Sequence, residues 1–512
     1  MERVKSVFRR NTEKGRRSSG PYVTVVGPNG LIYERPLRAG EQDGLRSHAH
    51  DPQHPHPHEA QHPHAHDPQH PRAHDPQHPH AHDGHHPHAH PHQHPHQHPH
   101  GGTPTHQQPP PVQPTKLPPQ PGDGSGATTG GPSATATGQL QIHLYNDTNS
   151  SNVYAYITGQ AINQGNALFL LSADGHTPYY PASPSSTNQR LTQNVSIPLG
   201  APGNTVYCTI PNLAGGRIWF SIGAPLVFAV NPGPGLVEPS IFNQSDPNVG
   251  TTFGFAEFTF NSAQVFANIS YVDFVGLPVA LTLTDTSGTT QHVSGIPANG
   301  LQSIANGLRQ QTAQDGQRWS SLIVNSSNGQ LLRILSPNSG ILLNPSWFAN
   351  YYANYVNQVY GKYTGQNLIV DTQAQWGDVN GVSNGSGISF GAGGNFTKPS
   401  TGDIFSCASG PFATGQNAET NTIIPRLAAA FNRSTLLLTN SIPDGAGPSQ
   451  YYQNPVTNHY ARIVHAANLD GQGYTFPYDD VTPTGGVPQE GAVFSYAPTL
   501  LLVSVGGNHA YA

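Results

Sequence analysis

The sequence predicts a mostly β body that carries an inserted mixed α/β unit, behind a disordered His/Pro-rich N-terminal region. Three observations lead there. Histidine is segregated: of 29 in the 512-residue chain, 23 fall between His48 and His106. From Gly138 onward, short runs rich in Val, Ile, Phe, Tyr and Thr recur between Gly, Pro and Asn turns, the pattern of a sandwich or barrel. Between 295 and 400, longer stretches with helical periodicity interrupt that pattern.

Residues 1–46 form a basic head, with ten Lys/Arg against five Asp/Glu. They hold no apolar run of roughly 7–15 residues after the first charges, so they do not read as a secretory signal. PYVTVVGPNGLIYERPL (Pro21–Leu37) suggests a small hairpin on Pro-Asn-Gly. Residues 47–137 are a repeat tract followed by a linker. AHDPQHPHPH, AHDPQHPRAH and AHDPQHPHAH are near copies. Their prolines remove amide donors and disfavour helix at each preceding residue, and almost nothing apolar is present to build a core. The tract supports three readings: weak metal capture by imidazole, a pH response, or repeat expansion with no selected role.

The body, from Gly138, is poor in charge. Over the whole chain charged residues are 10%, against about 25% in an average globular protein. A net charge of −6 gives no reason to expect nucleic acid as a partner. No window reaches the roughly 18 apolar residues of a membrane span. Cys208 and Cys407 are the only cysteines, too few for a disulfide framework or a Cys-based zinc module, though they could pair with each other or remain buried thiols.

Element by element, QLQIHLYNDT (139–148) alternates as a strand. SNVYAYITGQ, ALFLLSA, TVYCTI, GRIWFSIG, TTFGFAEFTFN, ISYVDFV and VALTLTDT follow it to about residue 290. Gly300–Val324 looks helical for much of its length. In Ser346–Tyr360, residues Phe348, Tyr352, Tyr355, Val356 and Val359 line one helical face, with Asn344 as cap and Pro345 at the first position. Thr422–Leu437 predicts a helix with Pro425 in its first turn, and His459–Ala467 another, before a closing strand at Thr499–Gly507. His459 and His465 read as structural, and the four Trp mostly as core.

A carboxylate inside an apolar strand is unusual in so uncharged a body. Glu257 sits in TFGFAEFTF, and strand parity puts Phe253, Phe255, Glu257, Thr259 and Asn261 on one face. Asp273 sits in ISYVDFVGL, one strand, a loop and a return later. Two such carboxyls on neighbouring strands can reach the roughly 6.5–9.5 Å separation used in inverting glycoside hydrolysis. They could equally be solvated or ion-paired structural acids. Asp479 and Asp480 in FPYDDV border a cleft or cap a turn.

GGRIWFSIG (Gly215–Gly223), FAEFTFN (Phe255–Asn261), ISYVDFVGLPVALT (Ile269–Thr282) and GYTFPYDDVTPTGG (Gly473–Gly486) occur in an order that resembles the thaumatin-like fold, a β-sandwich with an acidic cleft. Plant members of that fold hold many disulfides, and this chain does not. It also carries a long insertion between the third and fourth motifs. Both departures resemble glycoside hydrolase family 64, the β-1,3-glucanases with a thaumatin-like domain and an inserted α/β domain. The fungal branch is most similar, through NSSNVYAYITGQA, PYYPASPSS, IPLGAPG, NPVTNHY and FPYDDVTPTGG.

The resemblance covers 138–512. It implies a β-domain of 138–294 and 401–512 around an insert of 295–400. It implies Glu257 as general acid and Asp273 as base of an inverting endo-β-1,3-glucanase releasing laminaripentaose, with no metal or cofactor. It also places Thr259, Asn261, Phe266 and Ser270 along the sugar cleft, with Phe266 where bacterial members can carry Trp. The expected partner is β-1,3-glucan, the expected state a monomer, and the expected place the cell wall or the extracellular space. The competing expectation is a thaumatin-like β-glucan binder without catalysis.

Overall fold

The computed structural model describes residues 138–509, apart from Phe242 and Gln244, and the backbone of two strands near the N-terminus. Those two strands, Tyr22–Val26 and Ile32–Pro36, pair with each other, and the turn expected on Pro-Asn-Gly lies outside the described residues. The His/Pro-rich tract lies outside the described residues.

The body is mostly β. The strands that matter here are β1 (Gln139–Asn146), β2 (Val153–Ala161), β3 (Ala167–Leu171), β4 (Thr205–Pro211), β5 (Leu213–Ile222), β6 (Thr252–Phe260), β7 (Val265–Ile269), β8 (Val279–Asp285), β9 (Thr290–Val293), β10 (Ala492–Ser495) and β11 (Pro498–Val505). One sheet runs β10-β7-β6-β5-β2-β3 and ends on Pro178–Tyr179, with Ile197–Pro198 beside β2; the other runs β9-β8-β11-β1-β4. In the second sheet β11 and β1 are parallel and the other pairs antiparallel. Alternation decides which side chains enter the core. Ile218, Phe220, Ala256, Phe258, Phe260, Val265 and Ala267 from the first sheet join Leu140, Ile142, Leu144, Leu281, Leu283, Leu501 and Val503 from the second in one buried cluster. The opposite face of the first sheet is left for other uses.

The interrupting unit carries the helices: α1 (Gly300–Asp315), α2 (Pro337–Leu343), α3 (Ala353–Lys362), α4 (Thr401–Ser406), α5 (Ala418–Arg433) and α6 (His459–Ala467). Its sheet joins Asn395–Thr397, Gly387–Ser389, Asp378–Ser383 and Leu368–Asp371 to Ser441–Ile442. The last pairing is parallel, and it brings a strand from beyond residue 400 into this sheet.

Two helix starts differ from expectation. Asn344 does not cap α3; its Oδ1 accepts from the Ser346 amide at 3.1 Å and hydroxyl at 2.7 Å. Phe348 (φ +58°) and Asn350 (φ +59°) then adopt left-handed backbone that no α-helix contains. The apolar face survives the shift, with Phe348, Tyr352, Tyr355, Val356 and Val359 all buried. α5 begins at Ala418 rather than near Pro425, because Asn417 Oδ1 caps the Glu419 and Thr420 amides. Pro425 thus sits inside the helix and removes one ladder bond. α6 spans the expected residues, capped by Asn458 on the Ala461 amide.

Cys208 and Cys407 are both buried and unpaired. Burial pushes the Cys208 thiol up to about 12, so it behaves as a small apolar side chain.

Candidate active site

On antiparallel strands, directly opposed residues share a face. Arg217 on β5 faces Glu257 on β6, and Glu257 faces Asn268 on β7. Trp219 faces Phe255, and Thr259 faces Phe266, which faces Phe494 on β10. All these side chains therefore stand on the face opposite to that of Ile218, Ala256 and Phe258.

Arg217 is the centre of the group. Its Nε and Nη2 donate to Glu257 Oε1 at 3.2 and 3.1 Å, and its Nη1 donates to Glu238 Oε2. The guanidinium lies 4.6 Å from the centre of the Phe255 ring and 5.4 Å from that of Trp219, an aromatic floor for a cation. Trp219 is fixed in turn by its indole N–H on Thr158 Oγ1 at 3.2 Å. Arg217 is 6% exposed. Burial opposes its charge, but Glu238, Glu257 and Asp273 outweigh that and raise its pKa.

Asp273 arrives from the segment after β7. That segment is pinned by the Tyr271 amide on Tyr474 O at 2.7 Å, by Tyr460 Oη on Tyr271 O at 2.6 Å and by the Ser336 amide on Asp273 O at 2.9 Å. Gly276 is required just beyond, since a Cβ there would lie 2.1 Å from Phe253 O. Burial raises the Asp273 carboxyl above its usual range; Arg217 partly offsets this and Glu257 adds to it. Glu238 is raised the same way, by burial first, with Arg217 opposing and both other carboxyls reinforcing. Glu257 and Glu238 thus share one guanidinium, with Asp273 within its field, in a poorly solvated site.

The other expected residues divide. Thr259 and Phe266 are half-buried on the face of Glu257. Ser270 is buried where Tyr474 forms a parallel bridge, beside a small cavity it lines with Phe255, Tyr271 and Phe274. Asn261 lies past the end of β6, and its Oδ1 closes the turn on the Ala263 and Gln264 amides at 2.9 and 3.0 Å. Asp480 is half-buried and accepts from Tyr474 Oη at 3.0 Å, within the field of Arg426.

Asp479, expected along the cleft, has no face to offer a sugar. It is fully buried; Oδ1 takes Arg433 Nη2 at 3.0 Å, and Oδ2 takes His465 Nε2 at 2.9 Å and the Thr475 hydroxyl at 2.6 Å. Burial alone would raise this carboxyl, but His465, Arg433 and Thr475 together hold it below its usual range. His465 is thereby structural. So is His459, whose Nε2 meets Pro455 O at 3.0 Å while Nδ1 accepts from Arg462 Nε at 3.1 Å.

Sequence reasoning missed Arg217, Glu238, Asn268, Phe494 and Tyr496. Arg217 carried a signal, because a lone Arg in the buried strand GRIWF needs an acidic partner. Asn268 is buried opposite Glu257, with no partner for its Nδ2 among the described residues. Phe494 touches the exposed Tyr496 edge to face at 4.7 Å, so the aromatic row from Phe266 continues to the sheet edge. Among the described residues no cluster of three His, Cys, Asp or Glu has metal-holding geometry. Arg217 supplies the positive charge between the carboxylates.

A family model described as β-1,3-glucanase, glycoside hydrolase family 64, matches residues 138–505. Over 370 residues the chain is 26% identical to a glucan endo-1,3-β-glucosidase of Cellulosimicrobium cellulans and 27% to one of an Arthrobacter species (strain YCWD3). Each alignment covers 70% of this chain and 64% of the relative, so the chain spans under two thirds of the length of these curated relatives. The crystal structure of a laminaripentaose-producing β-1,3-glucanase in complex with laminaritetraose superposes with a TM-score of 0.64 at 30% identity, covering 72% of this chain and 98% of that one. A β-1,3-glucanase domain from Clostridium beijerinckii shares the fold at 22% identity, with a TM-score of 0.57 over 73% of this chain and the whole of that one.

Proposed function

The chain belongs to glycoside hydrolase family 64, the β-1,3-glucanases, and from that premise we propose that it is an inverting endo-β-1,3-glucanase whose acid and base are Glu257 and Asp273. The observation that carries this is the group of carboxyls around Arg217, built on the family-matched strands. One carboxyl protonates the glycosidic oxygen; the other takes a proton from the water that attacks the anomeric carbon from the opposite side. Thr259, Phe266, Ser270, Asn261 and Asp480 border the bound glucan in this reading. The β body is a thaumatin-like domain and the helical unit its insert. The protein works as a monomer, without a cofactor, on cell-wall glucan.

The test is laminarin hydrolysis followed by NMR of the first product. Inversion at a β-linkage releases the α-anomer, with laminaripentaose the main product. Release of the β-anomer overturns the inverting assignment. Glucan binding without new reducing ends identifies a non-catalytic binder.

Thr259, Phe266 and Phe494 form a row across three strands, each step about 4.8 Å. A glucan crossing the sheet there stacks on the two rings. Phe266→Ala and Phe494→Ala should each raise KM for laminarin roughly 3–10-fold, the loss of one aromatic contact. They should leave kcat within about twofold, since neither ring carries a group that transfers a proton. A fall in kcat at unchanged KM would remove both from the binding face.

A further inference from the structure

We propose that Glu238 is a positioning residue of this site: by holding one end of the Arg217 guanidinium it aims the other edge at Glu257. The proposal rests on the reading above for what the site does, while its test also has a readout independent of that reading.

A guanidinium is planar, with its donors in a fixed fork. The Nε/Nη2 edge of Arg217 is spent on Glu257 and Nη1 on Glu238. Its flat face rests on Phe255. Stacking removes tilt, so the remaining freedom is rotation within the plane, and two carboxylates at opposite ends remove that too. Without Glu238, Nη1 is a buried donor with no partner, and the group pivots to satisfy it.

The sheet does not need Glu238. β5 and β6 are registered by their own ladder from Leu213↔Phe260 to Ile222↔Thr252. Glu238 comes from elsewhere, directly after the strand Gly235–Val237, in a separate three-stranded sheet with Ala229–Asn231 and Gln189–Arg190. Placing an acid from a second sheet against Arg217 costs desolvation that strand pairing does not explain. The charged groups that face it are Arg217 from β5, Glu257 from β6 and Asp273 from the segment after β7.

Glu238 also divides the charge of Arg217. Removing its negative charge leaves more of the guanidinium's field to Asp273, which then releases its proton more readily. Glu238→Gln keeps an acceptor for Nη1 and removes only the charge. The expected result is an Asp273 titration, followed by carboxyl ¹³C NMR of Asp-labelled protein, about 0.5–1 pH unit lower than in wild type. The kcat/KM profile on laminarin moves acidward with it. Glu238→Ala, which also loses the acceptor, should drop kcat roughly tenfold with KM within about twofold, since Glu238 does not touch the sugar. The proposal is overturned if Glu238→Ala keeps wild-type kcat, or if its Asp273 titration superposes on that of Glu238→Gln, which lacks the charge but keeps the acceptor. If wild type hydrolyses no laminarin while those two titrations differ, the functional reading fails and the positioning role stands.

Discussion

Glu257→Gln and Asp273→Asn each leave laminarin turnover at about 10⁻² to 10⁻⁴ of wild type, the range spanned by loss of a general acid or base. Both replacements conserve size and keep an acceptor, so the Arg217 donors on Glu257 and the clamped backbone around Asp273 survive. Thermal unfolding should therefore stay near wild type while kcat collapses. If either variant keeps wild-type turnover, that residue leaves the mechanism.

The same two variants separate the roles. Sequence resemblance gives the proton to Glu257. In the structure Glu257 is ion-paired with Arg217 while burial raises Asp273, so the same variants also test the exchanged assignment. A laminarin oligosaccharide carrying a dinitrophenyl leaving group needs no protonation. The variant lacking the acid recovers most of its rate on that substrate and the variant lacking the base does not. Recovery by Asp273→Asn alone makes Asp273 the acid; recovery by Glu257→Gln alone restores the assignment from resemblance.

What the sequence made legible follows from the range of its signals. Period-two alternation acts over a few residues, so the shared face of Glu257 and Thr259 could be read directly. Phe266 could be placed near them only by resemblance, because register across strands is not written in either strand. Glu238 was invisible for a stronger version of that reason. It follows a three-residue strand, and only the meeting of two sheets brings it to Arg217. α3 is legible from its apolar face and α5 from Pro425 read as a first-turn proline. Their starts were misplaced because the side chain of Asn344 turned to the loop and that of Asn417 took the cap.

Asp479 shows the same limit at greater cost. Two acids in FPYDDV look like a cleft rim or a turn cap; Asp479 does accept locally from Thr475, yet its charged partners lie 14 residues away at His465 and 46 away at Arg433. Asp479→Ala should therefore act on stability, not on glucan binding. It strands the buried Arg433 guanidinium, a loss on the order of 3–5 kcal/mol at pH 7 by urea unfolding. The dependence on pH has a definite sign. Because the folded-state carboxyl lies below its unfolded value, its contribution is complete above that value, about 3.9. The contribution is lost as pH falls through the folded value. The stability gap between wild type and Asp479→Ala should be constant from neutral pH to about 5 and narrow below about 4. KM for laminarin, measured on folded protein, should match wild type, since no Asp479 oxygen is exposed. An Asp479→Ala protein as stable as wild type but weakened in KM would return this acid to the sugar cleft.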